Sequence, residues 1–240
     1  MKRIMLSLVV AAGIFLSGCD VLKNLPNTTM GIPGTGISQS EAGQGIKEAL
    51  AQGLSKSVLQ LNSTDGFFKD AFYKILLPPD AKKVENTLRS IGFNSLVDKA
   101  IMQINRGAED AAGYAKPIFA EAIRSMTLTD AIGLVKNGDT SATHFFRDKT
   151  TSKLIAAFTP VIRASLDKVE GTKYYSDLIT KYNDLPTTFK KINPDLTSFV
   201  TMKTTDALFD LVAKEELNIR TNFAARSSAI LKKVFGGAYN

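Results

Sequence analysis

The chain has 240 residues, and its 30 Lys and Arg against 23 Asp and Glu give a formal charge of +7. A single cysteine excludes an intramolecular disulfide, and one histidine with one cysteine excludes a transition-metal centre built from those ligands. The basic excess never gathers into a block of five or six, which argues against nucleic acid as a partner, and the 44% hydrophobic content is that of an ordinary globular protein.

Met1-Lys2-Arg3 is a short basic start, and Ile4–Phe15 is an apolar run of twelve residues. A bilayer span needs about 20, so residues 1–18 describe a secretory signal rather than a transmembrane helix. Leu16-Ser17-Gly18-Cys19 places small residues directly before the only cysteine, which resembles the lipobox of bacterial lipoproteins. The resemblance implies that Cys19 becomes the acylated first residue of a mature chain of 222 residues, whose charge is +5 once Lys2 and Arg3 are gone. It implies a protein anchored by its lipid in the bacterial cell envelope and facing the periplasm, with the membrane as one partner and an envelope protein as another. Asp20 after the cysteine is associated with inner-membrane retention in enteric-type bacteria. Other lineages do not follow that rule, so inner and outer membrane both stay open. The basic surface either helps the domain lie against anionic lipid, at about 1 kcal/mol per nearby Lys or Arg, or is simply solvated.

Residues 19–40 form a lipidated tether, and residues 41–237 a single helical domain. "NLPNTTMGIPGTGIS" is rich in Gly, Pro, Asn and Thr without apolar period, as in a flexible spacer. Its "GIPGTG" lacks a following Lys-Ser or Lys-Thr and is not a P-loop. Ser38 and Glu41 have capping-box spacing, and Ile46, Leu50, Leu54, Val58 and Leu61 then recur at helical intervals. Gly43, Gly45 and Gly53 weaken that helix or permit close packing. "NSTDGFF" and "LLPPD" are breaks, with a short helix or an irregular hairpin between them near 66–78. Asp80 is placed to cap a helix ending at Gly92, and Asn94 to cap a long helix running to about Met126 with a bend near Pro117. Thr127 and Asp130 begin a short helix that ends near Gly138. Asp139 is placed to cap a second long helix containing Pro160, and Thr172–Asn183 is a further short helix. "DLPTTFKKINPDL" is broken; Thr204–Arg220 and Ala224–Phe235 close the domain. With no sustained alternating pattern, the fold is all-α, a single-domain bundle with two long central helices.

The words "INRGAEDAA", "KPIFAEAIRSMTLTDA", "GDTSATHFFR" and "IRTNFAARSSAILKKVFG" resemble, in order, the bacterial family catalogued as domain of unknown function 4197. The resemblance runs from about Gly45 to Gly236 and implies an all-helical exported domain with no activity attached. Phe223 stands where the family pattern has a proline, and His144 where it has a tyrosine.

The inventory for catalysis is thin. His144 is the only histidine and sits at a helix start, and spacing for a calcium loop is absent. No cofactor, metal site or catalytic residue is implied. At 100° per residue, Val97, Ile101, Ile104, Ala108, Ala111, Ala115, Phe119, Ala122 and Met126 form one stripe. Asn105 and Glu109 lie four apart on its edge, while Arg106 points nearly opposite. Arg147 and Glu215 fall on core-facing stripes of two other helices, and a charge buried alone is costly. The expectation is a polar cluster inside the bundle from Asn105, Glu109, Arg147 and Glu215, with Arg106 and Asp130 as further members. Three uses stay open: fixing helix register, binding a small polar ligand, or hydrolysis by the carboxylates. The function these features favour is a non-enzymatic binding or scaffolding module, with the ligand-binding or hydrolytic domain as the alternative.

Overall fold

The computed structural model describes residues 37–236 except 137, 169, 185, 187–189 and 194. The expected signal, Cys19 and the tether through residue 36 lie outside the described residues, as does Gly237.

Helix α1 spans Gln39–Leu61 and starts with the expected capping box. Ser38 accepts from the Glu41 amide and Glu41 reaches back to the Ser38 amide, which satisfies two donors that the helix itself cannot. Gln39 and Ser40 therefore already belong to the helix. Ile46, Leu50, Leu54, Val58 and Leu61 are buried along one face. The glycines allow close approach: a Cβ on Gly43 would lie 2.5 Å from Leu128, and one on Gly45 would lie 2.5 Å from Val234.

Residues 62–78 are neither helix nor hairpin but a series of turns. Asp65 adopts φ 68° at the first of them. The hairpin expected near 66–78 is absent because its backbone donors bond elsewhere. Phe72 and Tyr73 donate to Asp70, and Phe67, Phe68 and Ile75 donate to side chains of a neighbouring helix.

A 3-10 turn at Pro79–Ala81 leads into α2 (Lys82–Ser90); Ala81 holds the N-cap position with no side-chain cap, and the Asp80 carboxylate accepts from Lys190 instead. Gly92, at φ +93°, ends that turn of chain. The single bent helix expected from 94 to 126 is two helices, α3 (Asn94–Ala112) and α4 (Ala115–Ser125). Asn94 is the first residue inside α3, and Phe93 precedes it as the cap. A proline ring clashes with the carbonyl four residues back. For Pro117 that residue is Gly113, where the chain breaks. In the first turn of α4 the missing proline N–H costs nothing. The predicted stripe nevertheless stays continuous: every member is buried except Ala122, which is half-buried.

Helix α5 (Leu128–Lys136) is followed by α6 (Ser141–Leu166), where Thr140 rather than Asp139 holds the N-cap position without a side-chain hydrogen bond. Then come α7 (Glu170–Asn183) and α8 (Leu196–Thr221). Asp195 accepts from the Thr197 amide, so α8 begins eight residues before the expected Thr204. A second 3-10 turn (Phe223–Ala225) and α9 (Ala229–Gly236) complete the chain.

Helix α8 packs against α1, α3 and α6. Helix α6 packs against α3, α4 and α8, and α1 carries α4, α5 and α9. Phe119 locks three of these together. Its ring lies 6.0 Å from Phe146 on α6 and 5.9 Å edge-on to Phe209 on α8, favourable aromatic geometry within a shared core.

Candidate functional site: a polar seam and the groove it shapes

Asn105 and Glu109, one turn apart on α3, face the irregular segment 62–77. Asn105 is fully buried. Its Oδ1 accepts from the Ile75 amide at 2.8 Å, and its Nδ2 donates to the carbonyls of Ile75 and Ile101 at 2.8 and 2.7 Å. One side-chain amide thus replaces a missing strand partner. Glu109 Oε1 accepts from the amides of Phe67 and Phe68, both at 3.1 Å, and Oε2 accepts from Arg106. The Glu109 carbonyl accepts from Asn62 at 2.8 Å. Buried backbone donors must find partners, and here α3 supplies them.

Arg106 does not face away. Its guanidinium returns across one turn to Glu109 and extends to Asp65 at 2.6 Å. Lys69, then Arg106, hold the Asp65 carboxyl below the usual carboxylate range, and the two carboxylates push Arg106 up. Arg106 is 30% exposed, long enough to reach back from the position the helical wheel assigns it.

The remaining residues of the predicted cluster lie elsewhere. Arg147 pairs with Asp206 at 3.1 Å, lies over the Phe209 ring and is 41% exposed, so it does not enter the core. Glu215 pairs with Lys56 at 2.6 Å and accepts from Asn218. Asp130 caps α5: it accepts from the hydroxyl and amide of Thr127, which hold its carboxyl low. Arg147 and Glu215 are not partners, because each pairs with a different opposite charge: Arg147 with Asp206 on the surface, and the buried Glu215 with the exposed Lys56.

Glu215 is buried, as its stripe position implied, and sequence reasoning missed a second interior carboxylate beside it, Glu216, buried to the same degree. Glu216 accepts from the amides of Ala142 and Thr143 at 3.1 and 2.8 Å and from the Thr143 hydroxyl at 2.6 Å. It thereby caps the start of α6 from another helix. Arg220, 2% exposed, donates to it from Nε and Nη2 at 3.0 and 2.7 Å and also reaches the Leu134 carbonyl. The i,i+4 spacing of Glu216 and Arg220 was the available signal. His144, beside this cap, is exposed.

The segment pinned by α3 turns its outer side chains toward α8. Between them lies an open groove of about 460 Å³. Phe72, Leu76, Leu77 and Pro79 form one wall, and Phe199 and Ala207 the other. Tyr73 hooks the wall in place. Its hydroxyl donates to Asp210 at 2.6 Å, and Lys214 donates to both at 2.8 Å. Burial, then Asp210, push the Tyr73 hydroxyl up. Burial opposes ionisation of Asp210, but the hydrogen bonds from Lys214 and Tyr73 outweigh it and hold the carboxyl low; both partners raise Lys214. At neutral pH the three are a phenol, a carboxylate and an ammonium, which is an attachment rather than a nucleophile with its base. Among the described residues no group of three or more His, Cys, Asp or Glu is placed to hold a metal, and no helix is long and apolar enough to cross a membrane.

This arrangement of helices belongs to a recognisable sequence family. The family described as protein of unknown function, DUF4197, matches residues 36–236. The chain belongs to that family. The matched span of this DUF4197 member coincides with the packed domain, from the residue before Ile37 to the last residue of α9. No curated protein and no solved structure matches the chain significantly.

Proposed function

We propose that this DUF4197 protein is a lipid-anchored, non-enzymatic binding or scaffolding module of the bacterial cell envelope. Anchoring is supported by Leu16-Ser17-Gly18-Cys19 behind a basic start and a short apolar run. Binding is supported by one observation above the others. The groove between residues 72–79 and α8 exposes large apolar side chains, Phe72 at 87% and Leu76 at 54%. A contiguous exposed apolar surface marks an interaction site more often than a lone exposed residue does.

The α3 seam does not favour a hydrolytic or small-polar-ligand role. Asn105, Arg106 and Glu109 are committed to backbone groups and to each other. Such an arrangement positions a loop.

The test has two arms. Cys19→Ala should leave the protein unprocessed or release the mature domain from membranes. Mass spectrometry of the parent's N-terminal peptide should find an acyl modification on Cys19. An unmodified Cys19, with the variant processed and membrane-bound like the parent, refutes the anchor. Proximity labelling in the native envelope, with Phe72→Ser beside the parent, reads the binding surface. Identical neighbours for both proteins refute the groove as that surface.

A further inference from the structure

The groove combines apolar walls with positive charge that no acidic side chain among the described residues neutralises. Four charged side chains line it: Lys74, Lys203, Asp206 and Asp210. Both carboxylates are already paired, Asp206 with Arg147 and Asp210 with Lys214. Asp70, beside the wall, is turned to the amides of Phe72 and Tyr73. Among the described residues neither Lys74 nor Lys203 has an ion-pair partner. Each instead lies over an aromatic face, Lys74 at 4.4 Å from the Phe68 centroid and Lys203 at 5.8 Å from that of Phe199. Those cations are held at the edge of an apolar surface from which Phe72 and Leu76 project.

The geometry points to the anionic surface of a phospholipid bilayer as the partner of this groove. A bilayer presents phosphate directly above hydrocarbon. Lys74 and Lys203 match the first layer, and Phe72 and Leu76 match the second. A free anion would use the lysines and leave Phe72 idle, and a purely apolar segment would use Phe72 and leave the lysines unpaired. The inference rests on the anchoring proposed above, which keeps the domain near the lipid. Asp20 to residue 36 is a tether of 17 residues. Extended, it spans up to about 60 Å, against about 39 Å for the length of α8. The groove therefore reaches the bilayer wherever the tether enters the domain. Each lysine adds attraction that salt screens, so docking is tightest at low ionic strength.

The chain has no tryptophan, so Phe72→Trp supplies a single tryptophan, excited apart from the tyrosines at the red edge, at the tip of the groove. The full-length variant is reconstituted in vesicles of phosphatidylcholine, alone or mixed with phosphatidylglycerol, with bromine on the acyl chains as quencher. The emission should shift to the blue and be quenched in the mixed vesicles, and much less in the neutral ones. Adding Lys74→Gln and Lys203→Gln should weaken docking about thirtyfold and abolish the quenching. Phe223→Trp, at the other end of α8 and 61% exposed, should remain unquenched. An unchanged helical circular dichroism spectrum shows that each variant is folded.

Absent quenching at position 72 in mixed vesicles overturns the proposal. So does equal quenching at positions 72 and 223, which would mean proximity without orientation. A blue shift seen only with native membrane fragments, never with pure lipid, puts a protein in the groove and overturns it as well. Flotation with neutral vesicles reads the anchor separately. A protein that fails to float refutes the anchor, and quenching by added anionic vesicles still decides the docking.

Discussion

The backbone amide of Phe67 donates to the carboxylate of Glu109 across 42 residues of sequence. With the Phe68 amide on the same oxygen and Ile75 paired to Asn105, helix α3 does for residues 62–77 what a strand partner does in a sheet. The segment has no regular structure, yet its buried polar backbone is satisfied. Its apolar outer side chains are thereby fixed in place beside α8.

Removing that carboxylate should release the segment. Glu109→Ala leaves two amide donors without their acceptor and Arg106 with Asp65 alone, and should cost about 2–4 kcal/mol. Glu109→Gln keeps one acceptor oxygen and should cost less. Urea unfolding gives both values, and hydrogen exchange should localise the loss of protection to residues 67–75. A Glu109→Ala midpoint equal to the parent's would mean that the turns hold themselves.

The approach of α9 to α1 gives a second expectation. A Cβ on Gly45 would lie 2.5 Å and 2.9 Å from two atoms of Val234. Gly45→Ala gains helix propensity of about 1 kcal/mol but must overpack a buried contact, which costs about 1–3 kcal/mol. The net effect should be destabilising. Val234→Ala makes room, so the double variant should be more stable than the sum of the two single effects. Strict additivity would show that α9 shifts freely and that the contact is slack.

Neighbouring glutamates on α8 should behave very differently. Glu216→Ala strands the buried Arg220 and uncaps α6, a loss of about 3–5 kcal/mol. Glu215→Ala breaks a pair whose lysine is 61% exposed, worth about 1 kcal/mol or less. Thermal or urea melts of the two variants settle the order. Equal losses would remove Glu216 from the position of interior anchor.

Those two residues also show what the sequence made legible. The helical period announced the all-α fold, the α3–α4 stripe and the Ser38 cap, because burial and capping follow local spacing. Glu215 and Glu216 differ by 100° on the wheel, and a bundle helix contacted on three sides buries more than one stripe, so both are buried while periodicity singled out only Glu215. Arg106 was assigned by its Cα direction, whereas a guanidinium on a long stem reaches around the helix. The groove was not legible, because it arises where α8 meets an irregular segment that has no repeating pattern. Asn105 and Glu109 were visible as polar residues on a stripe edge, but their partners are backbone amides, which sequence does not distinguish.

Acid should loosen the joint between α1 and α9 before it unfolds the bundle. Lys233, then the amide and hydroxyl of Ser38, hold the Glu41 carboxyl down at about 2, against 4.5 for the free side chain. A group depressed in the folded state stabilises it above the unfolded value and loses that contribution as pH falls toward the folded value. The window is therefore pH 4.5 down to about 2. Across it, Lys233 loses its carboxylate partner and the N-terminal capping box of α1 loses its charged member. Hydrogen exchange at 229–236, corrected for intrinsic rates, should rise through that window in the parent. In Glu41→Gln it should start high and stay flat. A parent profile as flat as the variant's would show that the contact between Lys233 and Glu41 does not hold α9 against the bundle.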